Sequence, residues 1–457
     1  MAQFDTTQRN GSDQRTVILV FPADRGHFTS CIPLATELKK RNFIVELWTH
    51  SVTKKWYGEG TFDKVIDALG DGNELLDFVK LYKQASSLGD GDNKSMEAMF
   101  KNFPQLLAKA KLSFEKMPEY SATSVGKEAF ENRLKSNPPS IVIWEATWCK
   151  WASDVCMNNG IKCFGIVPSP YYILRCHYSK SNNIELLDWD GTFSIRDIEK
   201  DPDPVSSTHS YGHIVSKIII RNAAIRQNAT LLGPFLPSPI DAAKSNDVGD
   251  DALNHWLNLK DETIVVISLG SQSALSSLGN SAGTILVNGI LDAGFRVLFT
   301  GDEAMINISE LNSRINSFHM TSYIPQWRVL NHRNVRVFVT HCGANSAHEG
   351  LYAGVAMVPL PFFDDQYYIA ENLETIYGYE QNSAYSPLRK SDLRLPSKLS
   401  KKEIAQHQMR TREKISLAVK LALDVNETKL KELSNMIESE KGVEAAGNII
   451  SKLIDSK

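Results

Sequence analysis

The segment FVTHCGANSAHEG, residues 338–350, carries the residue types that bind a phosphorylated, hydroxyl-bearing ligand. A β-branched run leads to His341, a turn of small residues follows, and a helix-like stretch carries Glu349. The free N–H groups and positive dipole end at a helix start attract anions, and small side chains let a phosphate approach closely. His341 can donate to a second phosphate, and the Glu349 carboxylate can accept from both ribose hydroxyls. A nucleoside diphosphate uses all of these groups, whereas the alternative interpretation is a packing turn with a capping Asn or Ser and a surface Glu.

The wider window YIPQWRVLNHRNVRVFVTHCGANSAHEGLYAGVAMVPLPFFDDQ, residues 323–366, resembles the donor-binding signature of the UDP-dependent glycosyltransferases. This family includes the plant secondary-product and animal drug-conjugating enzymes. The spacing matches without a gap from Pro325-Gln326, through His341-Cys342-Gly343 and Asn345-Ser346, to Asp365-Gln366. The resemblance implies the family's GT-B architecture and a UDP-sugar as donor.

The resemblance also implies a role for each matching residue. Tyr323, where plant enzymes carry a tryptophan, is expected to stack on uracil, and Glu349 is expected to bind the ribose hydroxyls. Ala344 replaces the tryptophan of the plant signature, so the resemblance says less about how the sugar is positioned. The resemblance further implies that the backbone near Ile324 and Val329 contacts the uracil edge and that Gln326 lies near the ribose. The residues implied at the diphosphate are His341, Asn345, Ser346 and Ser271, with Gly343 and Ala344 in the same turn. Asp365 and Gln366 are implied to contact the transferred sugar.

Transfer to an acceptor hydroxyl requires a base that works near neutral pH, and histidine is the usual choice. His27 lies in a Gly-His turn after the first strand-like run, where the family has its catalytic base. The family orients that base with an aspartate at the end of a later strand; here Glu145 stands at that place, and Asp24 is the nearest substitute. Glu145 could instead simply cap the helix that follows. The resemblance implies a single in-line displacement that inverts the anomeric carbon and needs no metal.

Acceptor selection is expected in the first half of the chain, on aromatic side chains near His27. The transferred sugar is expected to be glucose, and the acceptor a small lipophilic hydroxyl compound such as a phenol, flavonoid, terpenoid or sterol. Aromatic residues at helical spacing also occur in hydrophobic cores. The candidate acceptor residues are Phe28, Trp144, Trp148, Tyr171 and Tyr172.

Continuous apolar runs that alternate with helical stretches predict the elements that position these residues. Examples are residues 16–22, 140–145, 263–269 and 335–341, and such runs are typical of parallel strands covered on both faces. We therefore predict an α/β fold with two doubly wound Rossmann-like domains facing a cleft. The predicted boundaries are an acceptor-binding domain at 1–238, a linker at 239–252, a nucleotide-sugar-binding domain at 253–432, and a C-terminal helix at 433–457 that packs back on the first domain.

The composition limits which partners and which cellular location can be expected. The net charge of −3 gives no electrostatic reason to expect nucleic acid, and the apolar runs are far shorter than a membrane span. The polar start lacks the apolar core of a secretory signal, and the six cysteines form no Cys-x-x-Cys pair. We expect a cytoplasmic monomer without a transmembrane segment and without a cofactor, since the UDP-sugar is a co-substrate.

Several alternatives remain on sequence grounds. Asp-x-Asp strings at 90–92, 188–190 and 201–203 are of the kind that holds a metal in another glycosyltransferase fold. GNSAG at 279–283 matches a serine-hydrolase nucleophile elbow with Ser281 as nucleophile, although no strand leads into it. A dinucleotide oxidoreductase is not favoured, because no Gly-x-Gly-x-x-Gly motif follows any strand-like run. The strongest rival is a non-catalytic UDP-sugar-binding protein, suggested by the glutamate at 145.

Overall fold

The computed structural model describes residues 15–77, 121–146, 148–168, 211–213, 216, 218, 229–236, 251–270, 275, 278–311, 315–362, 365–395 and 399–456. These residues form two parallel sheets, as predicted, each with helices packed on both faces. The first sheet is seven-stranded and the second is five-stranded.

The first sheet consists of parallel strands in the order β3-β2-β1-β4-β5-β6-β7. Its strands are β1 (Thr16–Val20), β2 (Ile44–Trp48), β3 (Lys64–Ile66), β4 (Ile141–Glu145), β5 (Cys163–Val167), β6 (Tyr211–His213) and β7 (Ala229–Leu231). Its helices are α1 (Arg25–Phe28), α2 (Cys31–Lys40), α3 (Ser124–Ser136) and α4 (Lys150–Asn158), with a 3-10 helix at Ser51–Trp56.

The second sheet has the parallel order β10-β9-β8-β11-β12. Its strands are β8 (Ile264–Ser268), β9 (Arg296–Thr300), β10 (Phe318–Thr321), β11 (Val335–Thr340) and β12 (Ala356–Pro359). The helices of this half and of the C-terminus are α5 (Asp251–Asn258), α6 (Asn280–Asp292), α7 (Gln326–Leu330), α8 (Ala344–Tyr352), α9 (Asp365–Tyr377), α10 (Lys390–Leu393), α11 (Lys401–Leu423), α12 (Glu427–Ser439) and α13 (Gly442–Asp455).

Alternation along β1 shows why these strands are apolar throughout. Val17 and Leu19 pack into a core under α2 and α13, whereas Ile18 and Val20 point to the opposite face, under α3 and α4. All four side chains are fully buried. Because successive strand residues face opposite sides, only a strand covered on both faces reads as a continuous hydrophobic run. Burying each such side chain contributes about 1.5–3 kcal/mol.

Both sheets are doubly wound, and each has a point where the strand order reverses. In the first sheet this switch point lies between β1 and β4, and in the second it lies between β8 and β11. Crevices at the carboxyl ends of the strands at such points are the usual ligand sites of this architecture. His27 follows β1 and Glu145 ends β4, while His341 follows β11. These three predicted residues therefore lie at the two switch points.

The C-terminal segment 433–457, predicted as one helix, contains the end of α12 and all of α13. Lys441 adopts a left-handed conformation with φ 47 and separates the two helices. Ser434 in α12 donates a hydrogen bond to the Tyr352 carbonyl in the second half, whereas Ala446 and Ile450 in α13 are buried in the core of the first. The chain thus crosses between the two halves near 440, inside the predicted helix. Most of the predicted linker lies outside the described residues.

Candidate functional site

The turn that presents His27 is fixed by Asp24. Asp24 caps the four-residue helix α1, since its Oδ1 accepts a hydrogen bond of 3.1 Å from the Gly26 N–H. Aspartate at this position satisfies a donor that a helix start otherwise leaves unpaired. Phe28, the last residue of α1, is fully buried against Trp56 and Tyr57 and fastens the turn to the core.

Glu145 contacts His27 directly, at the end of β4. Its Oε1 lies 3.0 Å from His27 Nδ1, and its Oε2 accepts a hydrogen bond of 2.8 Å from the Trp148 N–H. Because an ionised carboxylate only accepts, Nδ1 is the donor, and Nε2 of the neutral ring is left as the acceptor. One oxygen thus contacts the imidazole, and the other accepts from the backbone N–H of Trp148. Trp148 precedes Cys149, the N-cap of α4, which has no side-chain cap, so Glu145 does not cap that helix. The Glu145 side chain, one methylene longer than the aspartate expected from the family, reaches His27 and is completely shielded from solvent.

The turn at 341–343 is shaped around the His341 ring. Cys342 adopts a left-handed conformation with φ 65, and Gly343 is the N-cap of α8 without a side-chain cap. A Cβ on Gly343 would collide with His341 Nε2, and one on Gly270 (φ +91) would lie 3.1 Å from the same atom. Both glycines therefore allow the backbone to approach the Nε2 edge of His341 closely. The amides at the start of α8 have no capping side chain, as an anion site requires.

Glu349 and Ser346 are joined through Gln326. The Gln326 amide Nε2 lies 2.6 Å from Glu349 Oε2 and 3.2 Å from Ser346 Oγ. Burial raises the pKa of Glu349 to about 7, while the hydrogen bond from Gln326 acts in the opposite direction. Hydroxyl groups of a ligand that donated to this carboxylate would favour its ionised form.

Two contacts join the His27 turn to the second half of the chain. The Arg25 guanidinium lies over the ring of Tyr323, 4.4 Å from its centroid. The Asn345 amide Nδ2 donates a hydrogen bond of 2.8 Å to the Gly26 carbonyl. Tyr323 is 56% exposed, so its ring remains accessible beside this contact. The His27 turn and the start of α8 are therefore in direct contact.

Asp365 and Gln366 begin α9, close to the carboxyl end of β12. Gln366 is buried, and its Oε1 accepts a hydrogen bond of 2.9 Å from the Phe362 N–H. The side chains of Ile324 and Val329 are buried in the core. The prediction for these two residues concerns only their backbone, which is expected to contact the uracil edge. Ser271 lies outside the described residues.

The prediction for the acceptor side is partly wrong. Phe28 and Trp144 are completely buried in the cores on opposite faces of the first sheet, so neither side chain lines an acceptor surface. Their aromatic character serves packing, which sequence spacing alone did not distinguish. Trp148 is partly buried and makes an edge-to-face contact with His27, with 6.4 Å between centroids. Tyr171 and Tyr172 lie outside the described residues.

The sequence reasoning missed four residues near the site. Arg25, Gly270 and Asp24 in its capping role contact predicted residues, and only their position next to strand ends could have indicated them. His348 was also missed; it is buried in α8 and accepts a hydrogen bond of 3.1 Å from the Ser216 N–H. Burial lowers the pKa of His348 to about 3, so the ring stays neutral and holds α8 in place.

The alternative chemistries gain no support from the described residues. Ser281 is the second residue of α6, and β8 ends at Ser268, so no strand runs into the GNSAG segment and the hydrolase motif is contradicted. Within the described ranges, no group of three or more His, Cys, Asp and Glu side chains is placed to hold a metal. The three Asp-x-Asp strings lie outside those ranges. Among the helices in the described part of the chain, none has the length and apolarity to span a membrane.

Comparisons with known proteins found similarity to UDP-dependent glycosyltransferases over part of the chain. Residues 227–393 match the family described as UDP-glucoronosyl and UDP-glucosyl transferase. The chain is 30% identical over 157 residues to an ecdysteroid UDP-glucosyltransferase of Spodoptera littoralis nuclear polyhedrosis virus, covering 34% of this chain and 30% of that protein. It is 33% identical over 168 residues to an indole-3-acetate beta-glucosyltransferase of Zea mays, covering 33% of this chain and 35% of that protein. The matched region thus spans about a third of these relatives.

The fold has a wider match than the sequence. The crystal structure of Medicago truncatula UGT71G1 complexed with UDP-glucose superposes with a TM-score of 0.64 at 16% identity. The superposition covers 96% of this chain and 98% of that one. At this identity the likeness concerns the fold, which is the two-domain arrangement predicted from the strand pattern.

Proposed function

We propose that the chain is a member of the UDP-glucoronosyl and UDP-glucosyl transferase family, and that it transfers a sugar from a UDP-sugar to a hydroxyl group of a small lipophilic acceptor. The sugar we favour is glucose, and the acceptor class is a phenol, flavonoid, terpenoid or sterol. The transfer inverts the anomeric carbon and uses no metal. His27 is the general base, and Glu145 orients it.

One observation carries this proposal. The imidazole of His27 is held by Glu145 at 3.0 Å, and the adjacent Gly26 carbonyl is bound by Asn345 of the donor motif. A base supported on one nitrogen, in a turn that touches the donor motif, is the arrangement that acceptor activation requires. A protein that only bound the UDP-sugar would have no need for this pair.

The donor is proposed to bind across the second half of the chain. Uracil stacks on the exposed ring of Tyr323, the ribose hydroxyls donate to Glu349, and the diphosphate lies against the amides at the start of α8 beside His341. Asp365 and Gln366 are proposed to hold the transferred sugar. The N–H groups and His341 neutralise charge on the departing diphosphate, which is the task a metal would otherwise perform.

The reaction follows from this arrangement as a single displacement. The acceptor O–H gives its proton to His27 Nε2, and the oxygen forms a bond to the anomeric carbon of the sugar. The bond from that carbon to the diphosphate oxygen breaks, and its electron pair leaves with UDP. An α-linked donor gives a β-linked product because attack and departure occur on opposite faces. Glu145 stabilises the imidazolium that is formed.

The test is product formation from UDP-glucose with a panel of phenols, sterols and fatty alcohols, followed by mass spectrometry. We expect a hexoside with the wild-type protein, none with His27→Ala, and unchanged UDP binding in that variant by calorimetry. A wild-type protein that binds UDP and only hydrolyses the donor would support the non-catalytic alternative. Full activity in His27→Ala would contradict the assigned base.

A further inference from the structure

We propose that Asp24 is a positioning residue for the base, a second carboxylate that stabilises the protonated form of His27 from the side opposite Glu145. The inference rests on the proposed function, in which His27 takes a proton from the acceptor. It gives Asp24 a role in the reaction in addition to its role as a helix cap.

The two oxygens of Asp24 have different surroundings. Oδ1 accepts the capping hydrogen bond from the Gly26 N–H at 3.1 Å, which fixes the orientation of the carboxylate. Oδ2 then lies 3.9 Å from Nε2 of His27. This distance is too long for a hydrogen bond but short enough for a substantial charge interaction.

Glu145 and Asp24 therefore approach different nitrogens of one ring. Glu145 Oε1 is 3.0 Å from Nδ1, and Asp24 Oδ2 is 3.9 Å from Nε2. Asp24 is only 5% exposed and Glu145 is fully buried, so water and salt screen both charges weakly. An imidazolium at this place is held between two negative charges.

At a separation of 3.9 Å, Asp24 Oδ2 does not itself hydrogen-bond to Nε2. A carboxylate hydrogen-bonded to Nε2 would compete with the acceptor hydroxyl for the atom that must take its proton. Asp24 instead supports the positive charge that appears on the ring during the transfer, without direct bonding to it. The nearest basic neighbour in the chain, Arg25, has its guanidinium over the Tyr323 ring of the other domain.

The test separates the charge of Asp24 from its capping role. In Asp24→Asn the amide oxygen can still accept from the Gly26 N–H, so the cap is retained while the negative charge is removed. The dependence of kcat/KM on pH is measured with UDP-glucose and the best acceptor of the wild-type protein. We expect the acidic limb of the profile to move to lower pH by about one unit and the plateau to fall about tenfold.

Asp302→Asn is the matched control. Asp302 caps a short 3-10 helix in the same way, with Oδ1 accepting from the Ala304 N–H at 2.9 Å, but it lies in the other domain. Its neutralisation should leave the profile unchanged. If Asp24→Asn lowers kcat/KM equally at every pH, or leaves it unchanged, Asp24 is only a cap and the inference is wrong. Should Asp24→Asn not fold, Asp24→Ser retains a capping oxygen and takes its place.

A second readout does not depend on turnover. The imidazole of His27 can be titrated by NMR in the substrate-free protein, with its signal assigned by its loss in His27→Gln. We expect the titration midpoint in Asp24→Asn to lie about one pH unit below that of the wild type. An unchanged midpoint would overturn the inference. If no acceptor is glycosylated, the proposed function fails, and this titration still decides whether Asp24 supports the protonated ring.

Discussion

The side-chain amide of Asn345 donates a hydrogen bond of 2.8 Å to the carbonyl oxygen of Gly26. This bond joins the start of α8, at the switch point of the second sheet, to the turn that carries His27, at the switch point of the first. Each half of the proposed site thus lies where its own sheet opens a crevice. Any movement of the two domains relative to each other changes this contact together with the distance between His27 and residues 341–349.

Shortening or neutralising Glu145 is expected to impair catalysis to different degrees. Glu145→Gln removes the charge that stabilises the imidazolium, and we expect kcat to fall by about 10²–10⁴-fold. Glu145→Asp retains the charge, but one methylene less cannot reach both His27 Nδ1 and the Trp148 N–H, so an intermediate loss is expected. Steady-state kinetics with saturating donor measures both. The partly exposed Glu131→Gln, in α3, is the control. A Glu145→Gln variant with wild-type kcat would exclude a catalytic role for the His27–Glu145 pair.

Side chains added at Gly343 and Gly270 are expected to weaken donor binding. A Cβ at Gly343 would collide with the His341 ring, and Gly270→Ala adds a strained backbone at φ +91. Displacement of His341 removes a donor to the diphosphate, so we expect UDP to bind at least about tenfold more weakly, or about 1.4 kcal/mol. Calorimetry measures the change. Gly58→Ala, which meets no atom within 4 Å, should bind UDP normally. Normal binding in both site variants would mean that the diphosphate lies elsewhere.

Removal of the Tyr323 ring is expected to reduce UDP affinity without unfolding the protein. The side chain is 56% exposed, and base–aromatic stacking contributes about 1–3 kcal/mol. Tyr323→Ala should therefore weaken UDP binding by about 5–150-fold, whereas Tyr323→Trp should preserve it. Because Arg25 also contacts this ring, Arg25→Met shows how much of the loss comes from the contact between domains. Leu259→Ala, at a side chain 53% exposed, is the control. If Tyr323→Ala bound UDP as tightly as the wild-type protein, uracil would not stack on this ring.

The raised pKa of Glu349 predicts how donor binding depends on pH. Burial raises this pKa from 4.5 to about 7, and ribose hydroxyls would donate to the ionised form. If only that form binds, affinity for UDP-glucose should increase about tenfold between about pH 6 and 8. UDP-glucose is preferred to UDP because its diphosphate does not titrate in this range. Glu349→Gln should bind more weakly and without this dependence, whereas a flat profile in the wild type would contradict the ribose contact.

The raised pKa of Glu349 also makes the free energy of unfolding depend on pH. The folded state favours the neutral form of Glu349, so its stabilising contribution is complete below pH 4.5 and is lost as pH rises through about 7. Above that pH the folded protein carries a partly buried, poorly solvated carboxylate at this position. Glu349→Gln should consequently raise the free energy of unfolding at about pH 8 by about 1–3 kcal/mol, and change it little at about pH 5. Urea unfolding at the two pH values measures the difference.

The sequence alone determined the type of fold and the local shape of the donor motif. Continuous apolar runs such as β1 and β11 are stable only between two layers of helices, so two-sided parallel sheets could be predicted without coordinates. The turn from His341 into α8 is likewise local, because its conformation depends on neighbouring small residues and on the helix start. Residues 341–349 could therefore be interpreted from their spacing.

Only the tertiary structure decided which distant side chains meet and which are buried. The His27–Glu145 contact joins residues 118 positions apart, and the Asn345–Gly26 contact joins residues 319 positions apart. Such contacts depend on how sheets and domains pack, and local sequence patterns do not specify that packing. The same packing buried Phe28 and Trp144, whose aromatic character had suggested them for the acceptor, and brought Asp24 near Nε2 of His27. Short-range sterics fixed the elements and turns, and long-range packing of those elements set the geometry of the site.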